Sequence, residues 1–307
     1  MVSVVKIIPR VDVVGVGANS VDRVVVLPAA IHALGASGKI PIVERSLMCG
    51  GETATLLCAC ASFGLHAAYV GIVGADPEGR LVRDTLASRG VDVGDLREHP
   101  AATRGSVVLV NRETGDRIVL SDRNERLNFE RGELPQTRIC SARVVHVDDA
   151  DQQASIAAAG MAASANIPVT SDIDKINDRT EALVAAVTYP IFDGHAPAAL
   201  TGAADPEQAL RKLRRLNPGL LCMTLGAGGA AALEDDHFHL LPAFNVTVVD
   251  STGAGDVFRA GFVYGLLQGW PVPEVLRFAN AAAALSCTRL GAIASVPTLA
   301  DVKTLLA

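Results

Sequence analysis

The chain has 307 residues, half of them apolar and 20% charged, and its 27 basic and 33 acidic side chains leave a net charge of −6. This length accommodates one large α/β domain or two modest ones and buries a substantial core unaided, which excludes disordered, collagen-like and disulfide-scaffold classes. The mild acidity and the lack of a long Lys/Arg stripe argue against a nucleic-acid partner.

Residues 1–10 are too short and too charged for the apolar core of a signal peptide. The first strong strand is residues 11–17, β-branched and closed by glycines. Residues 23–28 and 39–45 read as further extended segments, suited to a small exposed sheet. Gly50-Gly51 opens an Ala/Leu-rich helix to about residue 63, followed by a strand (67–73) and a helix (78–88). Strands at 107–110 and 117–120 around Glu113-Thr-Gly115-Asp form a hairpin. From residue 143 strands and helices alternate: strand 144–147, helix 152–165, strand 168–173, helix 179–187, strand 189–192 and a basic amphipathic helix 206–217. Then come strand 220–225, a short hairpin (230–233 and 239–241), strand 247–249, and helices 254–268, 272–290 and 299–306. Strands alternating with helices imply a mostly parallel sheet covered on both faces, a three-layer α/β/α sandwich. No apolar stretch of about eighteen residues lacks a charge or a Gly/Pro break, so no membrane span is expected. The six cysteines (49, 58, 60, 140, 222, 287) form no C-x-x-C pair and read as reduced core residues, consistent with a cytoplasmic location.

The most informative string is Asp250-Ser251-Thr252-Gly253-Ala254-Gly255-Asp256, which runs from a β-branched strand into a helix carrying Val257, Phe258, Phe262 and Leu266 at helical spacing. Gly-Ala-Gly at a helix N-terminus lets main-chain N–H groups converge on an anion, helped by the helix dipole. A first-turn carboxylate, Asp256, then lies where a substrate hydroxyl could lose its proton.

This string closely resembles a signature of the ribokinase-like (PfkB) carbohydrate kinases, nearest in flavour to ketohexokinase- and fructokinase-type members. The resemblance spans nearly the whole chain. Gly15-Val-Gly17-Ala-Asn19-Ser-Val-Asp22 is similar to the family's opening strand and substrate-holding acid, and Gly50-Gly51 to its N-terminal signature. Thr224-Leu225-Gly226-Ala227-Gly228-Gly229 resembles its nucleotide-side glycine loop, and Thr288–Ser295 a loop that holds a monovalent cation. The resemblance implies a single Rossmann-like domain, residues 1–307, with a small β-sheet lid from about 22–45 and 105–121. It implies transfer of the ATP γ-phosphoryl group to a neutral sugar or sugar-like alcohol, a ketohexose favoured. Asp256 would be the general base, with the amides of Gly253, Ala254 and Gly255 neutralising the phosphoryl group. Asp22, Gly51, Glu52, Thr55 and Arg117 would face the substrate. Thr224, Gly226, Gly229, Thr252, Asn280 and Lys175 would face ATP. Asp193 would hold Mg²⁺ through water, and Asp250, Thr252 and Ser295 would hold K⁺.

Three positions depart from the family pattern. Thr55 stands for an Asn, and Glu52 for another Asn of ketohexokinases, a carboxylate that would repel anionic sugar acids. The Asn-x-x-Glu magnesium motif becomes Asp193-Gly194-His195-Ala196, without its Glu. These departures leave open a nucleoside kinase of the same fold, or a sugar-binding sensor without turnover. Gly15-x-Gly17-x-x-Ser20 mimics a dinucleotide fingerprint but lacks its third glycine and downstream acid, which makes a dehydrogenase remote. The apolar lid segments, Val24-Val-Val-Leu among them, are expected to pair between two subunits of a homodimer.

Overall fold

The computed structural model describes residues 11–29, 40–114, 117–122, 124–130 and 132–307, with the side chains of Arg117 and Val119 outside that description. The first β-branched run becomes strand β1 (Val11–Val16), whose alternation sends Val13 to one side of a sheet and Val14 and Val16 to the other. Flanking it are β4 (Ala67–Gly74) and β8 (Ala142–Val147), and outside these β5 (Asp92–His99) and β9 (Val169–Ser171). All five are parallel, in the order β5-β4-β1-β8-β9. Parallel bridges from Thr170 to Tyr189 and from Ile173 to Phe192 lead to β10 (Ile191–Phe192). Beyond it, β11 (Leu221–Thr224) is parallel to β10, and β12 (Ala230–Glu234) and β13 (His237–Leu241) run antiparallel.

Helices cover both faces. On one side α1 (Glu52–Ser62), α2 (Pro77–Ser88), α8 (Ala254–Gln268), α9 (Val272–Ser286) and α10 (Leu299–Leu306) enclose Val13, Tyr69 and Val144. On the other, α3 (Gln136–Ile139), α4 (Gln152–Ser164), α5 (Thr180–Ala186), α6 (Ala196–Thr201) and α7 (Pro206–Leu213) complete the layer, with Ala158, Leu183 and Leu210 packed on Val14, Val145 and Val147. α8 and α9 pack closely because Gly261 lacks a Cβ, which would lie 2.8 Å from Ala279 Cα. The three-layer α/β/α sandwich expected from the alternation is the observed fold. A second, mixed sheet has the order β3-β2-β6-β7, from β2 (Ser20–Leu27), β3 (Glu44–Gly50), β6 (Gly105–Asn111) and β7 (Arg117–Asp122). Among the described residues no helix is long and apolar enough to cross a membrane.

The short helices α3 and α6 were not expected, the helices expected at 206–217 and 272–290 end at Leu213 and Ser286, and three further segments differ in kind. Strand 39–45 lies instead at β3, its beginning at Lys39 falling outside the described residues. β5 was not expected because Asp92, Asp95, Arg97 and Glu98 break its apolar alternation; it is an edge strand, which tolerates charge. Residues 247–249 form no strand: Val249 N and Asp250 N donate to Cys287 O at 2.8 and 3.2 Å, so this backbone is tied to the end of α9 rather than to a ladder.

The turn between β1 and β2 is set from below. Tyr69 Oη donates to Gly17 O at 2.8 Å and accepts from Asn19 Nδ2 at 2.8 Å, and Asn19 Nδ2 also donates to Ile72 O at 3.0 Å. Tyr69→Phe leaves the half-buried Gly17 carbonyl without that partner, so chemical denaturation should show a loss of about 1 kcal/mol or more at unchanged fold; an unchanged midpoint would contradict this role.

Candidate active site

The C-terminal ends of the parallel strands converge with the N-termini of α1 and α8, the usual location of a site in an open α/β sheet. Two cavities meet there. A polar one of about 630 Å³ is lined by Asn19, Asp22, Gly51, Glu52, Ser106 and Lys175 among others, and by four further acids, Asp122, Glu125, Asp149 and Asp174, against one further base, Arg104. The second, of about 540 Å³, is lined by Thr224, Gly226, Gly229, Asn280, Gly255 and Asp193 among others. Gly255, in the first turn of α8, lines the second cavity and Glu52 the first, while Asp256, which follows Gly255, is half-buried and lines neither.

The expected substrate side is only partly assembled. Asp22 lines the polar cavity and accepts a hydrogen bond from Ser106 Oγ at 2.6 Å. Gly51 caps α1 with φ 102°, and a Cβ there would lie 2.4 Å from Asn19 Cα, so only glycine fits. Glu52 projects into the cavity, but Thr55 does not: it is fully buried, and its Cγ2 packs against the space beside Gly253, 3.4 Å from where a Cβ would stand. Thr55 lies one helical turn further along α1 than Glu52, at a depth where the helix is covered by the start of α8. The Arg117 side chain lies outside the described residues.

On the nucleotide side, Thr224, Gly226, Gly229 and Asn280 share one cavity. Gly229, at φ 96°, has no room for a Cβ, which would lie 2.1 Å from Leu241 O. Asn280 Nδ2 donates to Leu241 O and Pro242 O at 3.2 and 3.1 Å, fixing the segment that follows β13. Two expected members go elsewhere. Lys175 Nζ is 2.8 Å from both Glu52 Oε1 and Asp149 Oδ1, so two carboxylates draw it into the polar cavity. Thr252 donates through N and Oγ1 to Asp250 Oδ1, at 3.0 and 2.7 Å, and lines a third, apolar cavity of about 430 Å³ under the second sheet.

α8 begins at Gly253, in the left-handed conformation at φ 80°. Of its expected amide donors, Ala254 N–H is already turned to Ser251 O at 3.2 Å, whereas Gly255 N–H has no such internal partner among the described residues. Burial pushes the Asp256 carboxyl well above the usual carboxylate range; Arg259 opposes this, while Glu52 and Asp148 add to it. Burial likewise raises Asp172, again opposed by Arg259. Burial opposes the charge of Lys175 too, but Glu52 and Asp149 hold its ammonium above the usual lysine range.

Asp174, Asp193 and His195 offer ligand atoms within 4.8 Å of one another, at the border of the two large cavities. Two carboxylate oxygens fit a hydrated Mg²⁺, and His195 stands near the place of the motif's missing Glu. His195 Nδ1 is 2.8 Å from Asp193 Oδ1, a hydrogen bond that raises the imidazole pKa. The two segments expected to hold K⁺ also meet: Gly291 N donates to Asp250 Oδ2 at 2.9 Å, and Ser295 N to Gly291 O at 3.0 Å. Ser295 itself is buried, its Oγ donating to Ala292 O.

Asp148, Asp149 and Arg259 were missed from sequence. Asp148 Oδ2 accepts from Ala18 N at 2.5 Å and Thr53 Oγ1 at 2.7 Å, and Asp149 Oδ2 from Asp174 N and Lys175 N at 2.7 and 2.5 Å. The two acids pin the loops after β1 and β9. Their signal was visible as an acidic pair directly after the apolar strand Val144–Val147. His146, in that strand, is fully buried with Nδ1 2.9 Å from Thr170 Oγ1, and burial pushes it down to about 3.

The profile of the pfkB family carbohydrate kinase matches residues 24–299. The chain is 31% identical over 268 residues to an ATP-dependent ribose-1-phosphate kinase of Halopiger xanaduensis, covering 86% of this chain and 88% of the relative. It is 31% identical to a fructokinase of Klebsiella pneumoniae, covering 84% and 92%. Among solved structures it superposes on an Arabidopsis thaliana ribokinase complexed with ribose and ATP at TM-score 0.84, 24% identity, and 96% and 98% coverage. The Thermotoga maritima ribokinase gives TM-score 0.86 at 22% identity, with 96% and 99% coverage. These structures share the fold, a ribokinase-like one.

Loss of solvent pushes Glu52 from its ordinary 4.5 up to about 7, with Asp148 adding to the rise and Lys175 opposing it. The folded chain therefore holds this proton more tightly than the unfolded one. The stabilisation is fully present below about pH 4.5 and is lost as pH rises towards 7. Denaturation of wild type and Glu52→Gln across pH 4–8 should diverge by about 1–3 kcal/mol, wild type losing the more stability on the way up; parallel curves would contradict it.

Proposed function

This chain belongs to the PfkB family of carbohydrate kinases, and from that premise we propose that it transfers the γ-phosphoryl group of ATP to a hydroxyl of a neutral sugar or sugar-like alcohol, a ketohexose favoured. The observation that carries the reading is the start of α8, whose Ala254 and Gly255 line the cavity of the glycine loop, with Asp256 in its first turn. Asp256 takes the proton of the attacking hydroxyl. The N–H groups of Gly253 and Gly255 and the helix dipole neutralise the phosphoryl group, whose transfer needs mainly positioning and charge stabilisation. Asp22, the Gly51 main chain and Glu52 hold the sugar hydroxyls. Thr224, Gly226, Gly229 and Asn280 hold the nucleotide. Asp193, with Asp174 and His195, would hold Mg²⁺, which supplies positive charge to the phosphates. Asp250 and the main chain of residues 291–295 would hold K⁺.

The lining of the polar cavity supports a neutral acceptor, since six acids face two bases there, Arg104 and Lys175. A nucleoside is the second reading, favoured by the apolar cavity, which adjoins the polar one at Asp22 and Ser106 and offers Val24, Val108 and Met48 to a base. The whole chain would act as one catalytic domain, with the second sheet as its lid.

That sheet also supports a homodimer. Its register sets Leu47, Arg23, Val107 and Leu120 in one row across β3-β2-β6-β7, on the face opposite Met48, Asp22 and Ser106. Leu47, Ile118 and Leu120 are 49%, 46% and 56% exposed there. Two such faces would cover each other. Sedimentation at micromolar concentration should give a dimer that Leu47→Lys/Leu120→Lys dissociates; a wild-type monomer would refute this.

The kinase reading is tested by following ATP consumption against a panel of sugars and nucleosides. Asp256→Asn should lose about 10²–10⁴-fold in kcat, the usual contribution of a general base. Equal turnover by the two proteins would remove Asp256 as the base. Competition between adenosine and fructose separates the two acceptor classes.

A further inference from the structure

Arg259 lies one helical turn beyond Asp256 on α8 and is only 2% exposed. A residue three positions on shares the helix face of the first, so the guanidinium and the carboxylate belong to one side of α8. Arg259 Nη2 is 2.5 Å from Asp172 Oδ1, at the end of β9, and the two side chains are 3% and 5% exposed. Arg259 Nε and Nη2 have no hydrogen-bond partner among the described residues, so the contact of Nη2 with Asp172 is an ion pair. A Cβ on Gly255 would stand 2.7 Å from Arg259 Nη1, so the second glycine of the loop makes room for the guanidinium. An arginine this deep is costly to bury, and a helix facing a sheet is normally satisfied by an apolar residue at such a position. Here a full positive charge sits directly beneath the main chain that faces the nucleotide cavity.

We propose that Arg259 is a positioning residue for phosphoryl transfer: paired with Asp172 beneath Gly255, its guanidinium offsets part of the negative charge gathered around Asp256 and sets a fixed positive charge behind the glycine loop. The charges that face Asp256 make such a group necessary. From α1 comes Glu52, from the end of β8 Asp148, from the end of β9 Asp172, and from the loop after β9 Lys175; Glu52, Asp148 and Asp172 oppose ionisation of Asp256, while Lys175 and Arg259 favour it. Lys175 is already shared by Glu52 and Asp149, which leaves Arg259 as the larger counterweight. Asp172 and Asp193 face the guanidinium as well, and the apolar walls around it, including Cys222 on β11, keep out the water that would screen it. A charge held this way costs no reorganisation as phosphoryl charge develops.

This inference rests on the role proposed for Asp256, but its test needs no acceptor sugar. Proteins labelled with ¹³C at aspartate carboxyls are titrated by NMR, the Asp256 resonance being identified by its loss in Asp256→Asn. In Arg259→Met the Asp256 midpoint should rise by about one pH unit or more, and in Arg259→Lys it should return most of the way to wild type. If a lone Asp172 charge unfolds Arg259→Met, the comparison of Asp172→Asn/Arg259→Met with Asp172→Asn reads the same shift without it. With fructose and ATP, the kcat of Arg259→Met should fall about 10-fold or more and its acid limb should move to higher pH, with the KM for ATP changed less than threefold. A midpoint within about 0.3 units of wild type in both comparisons would overturn the proposal. Wild type that moves no phosphate to any sugar, while Arg259→Met still shifts Asp256, would overturn the sugar-kinase reading and leave this one standing.

Discussion

Keeping several closely spaced, largely buried carboxylates ionised is the constraint on which the site depends. Glu52, Asp148, Asp149, Asp172 and Asp256 come from four separate segments, and burial pushes Glu52, Asp148, Asp172 and Asp256 towards their protonated forms. Three kinds of positive partner offset this. Main-chain N–H groups of Ala18, Asp174 and Lys175 satisfy Asp148 and Asp149, the Lys175 ammonium joins Glu52 to Asp149, and the Arg259 guanidinium joins Asp172 to α8. Remove any one and a buried charge loses its partner, which is a far larger penalty than the loss of an exposed ion pair. The loops after β1, β8 and β9 are thus held by the same contacts that set the charge of the site.

Local rules made the fold and one wall of the site readable from sequence. The string from Asp250 to Asp256 marks a helix start through its glycines and its first-turn acid, and α8 begins at Ala254 and ends at Gln268 as its apolar spacing requires. Gly51 and Gly229 announce themselves because each occupies a backbone position that excludes a Cβ. What stayed illegible depends on contacts far apart in the chain. Lys175 meets Glu52 across 123 residues, so nothing in its neighbourhood tells which cavity it enters. Thr55 looked like a pocket residue because it follows the glycine pair at the right spacing, yet it lies one turn deeper along α1 and is covered in the core behind Gly253. Arg259 resembles any polar residue on an amphipathic helix until α8 is found buried along both of its sides.

The three cavities also differ in chemistry in a way that narrows the acceptor. Acidic side chains around Asp22 and Glu52 suit hydroxyl groups and oppose a phosphate or sugar acid. The apolar chamber under the second sheet begins where Asp22 ends, so a substituent on the acceptor would enter Val24, Val108 and Met48 rather than solvent. The outward row of that sheet is apolar apart from Arg23, so the proposed dimer would place the sheet between a ligand on one face and a second subunit on the other. Closure and assembly would then act on one four-stranded element.

The claim at the centre of this account is that main-chain donors at the start of α8 receive the terminal phosphate of ATP. Amide ¹⁵N NMR on adding a non-hydrolysable ATP analogue with Mg²⁺ tests it most directly. Gly253 and Gly255 should move together with Gly226 and Gly229. Movement of Gly226 and Gly229 alone, with Gly253 and Gly255 unmoved, would contradict it.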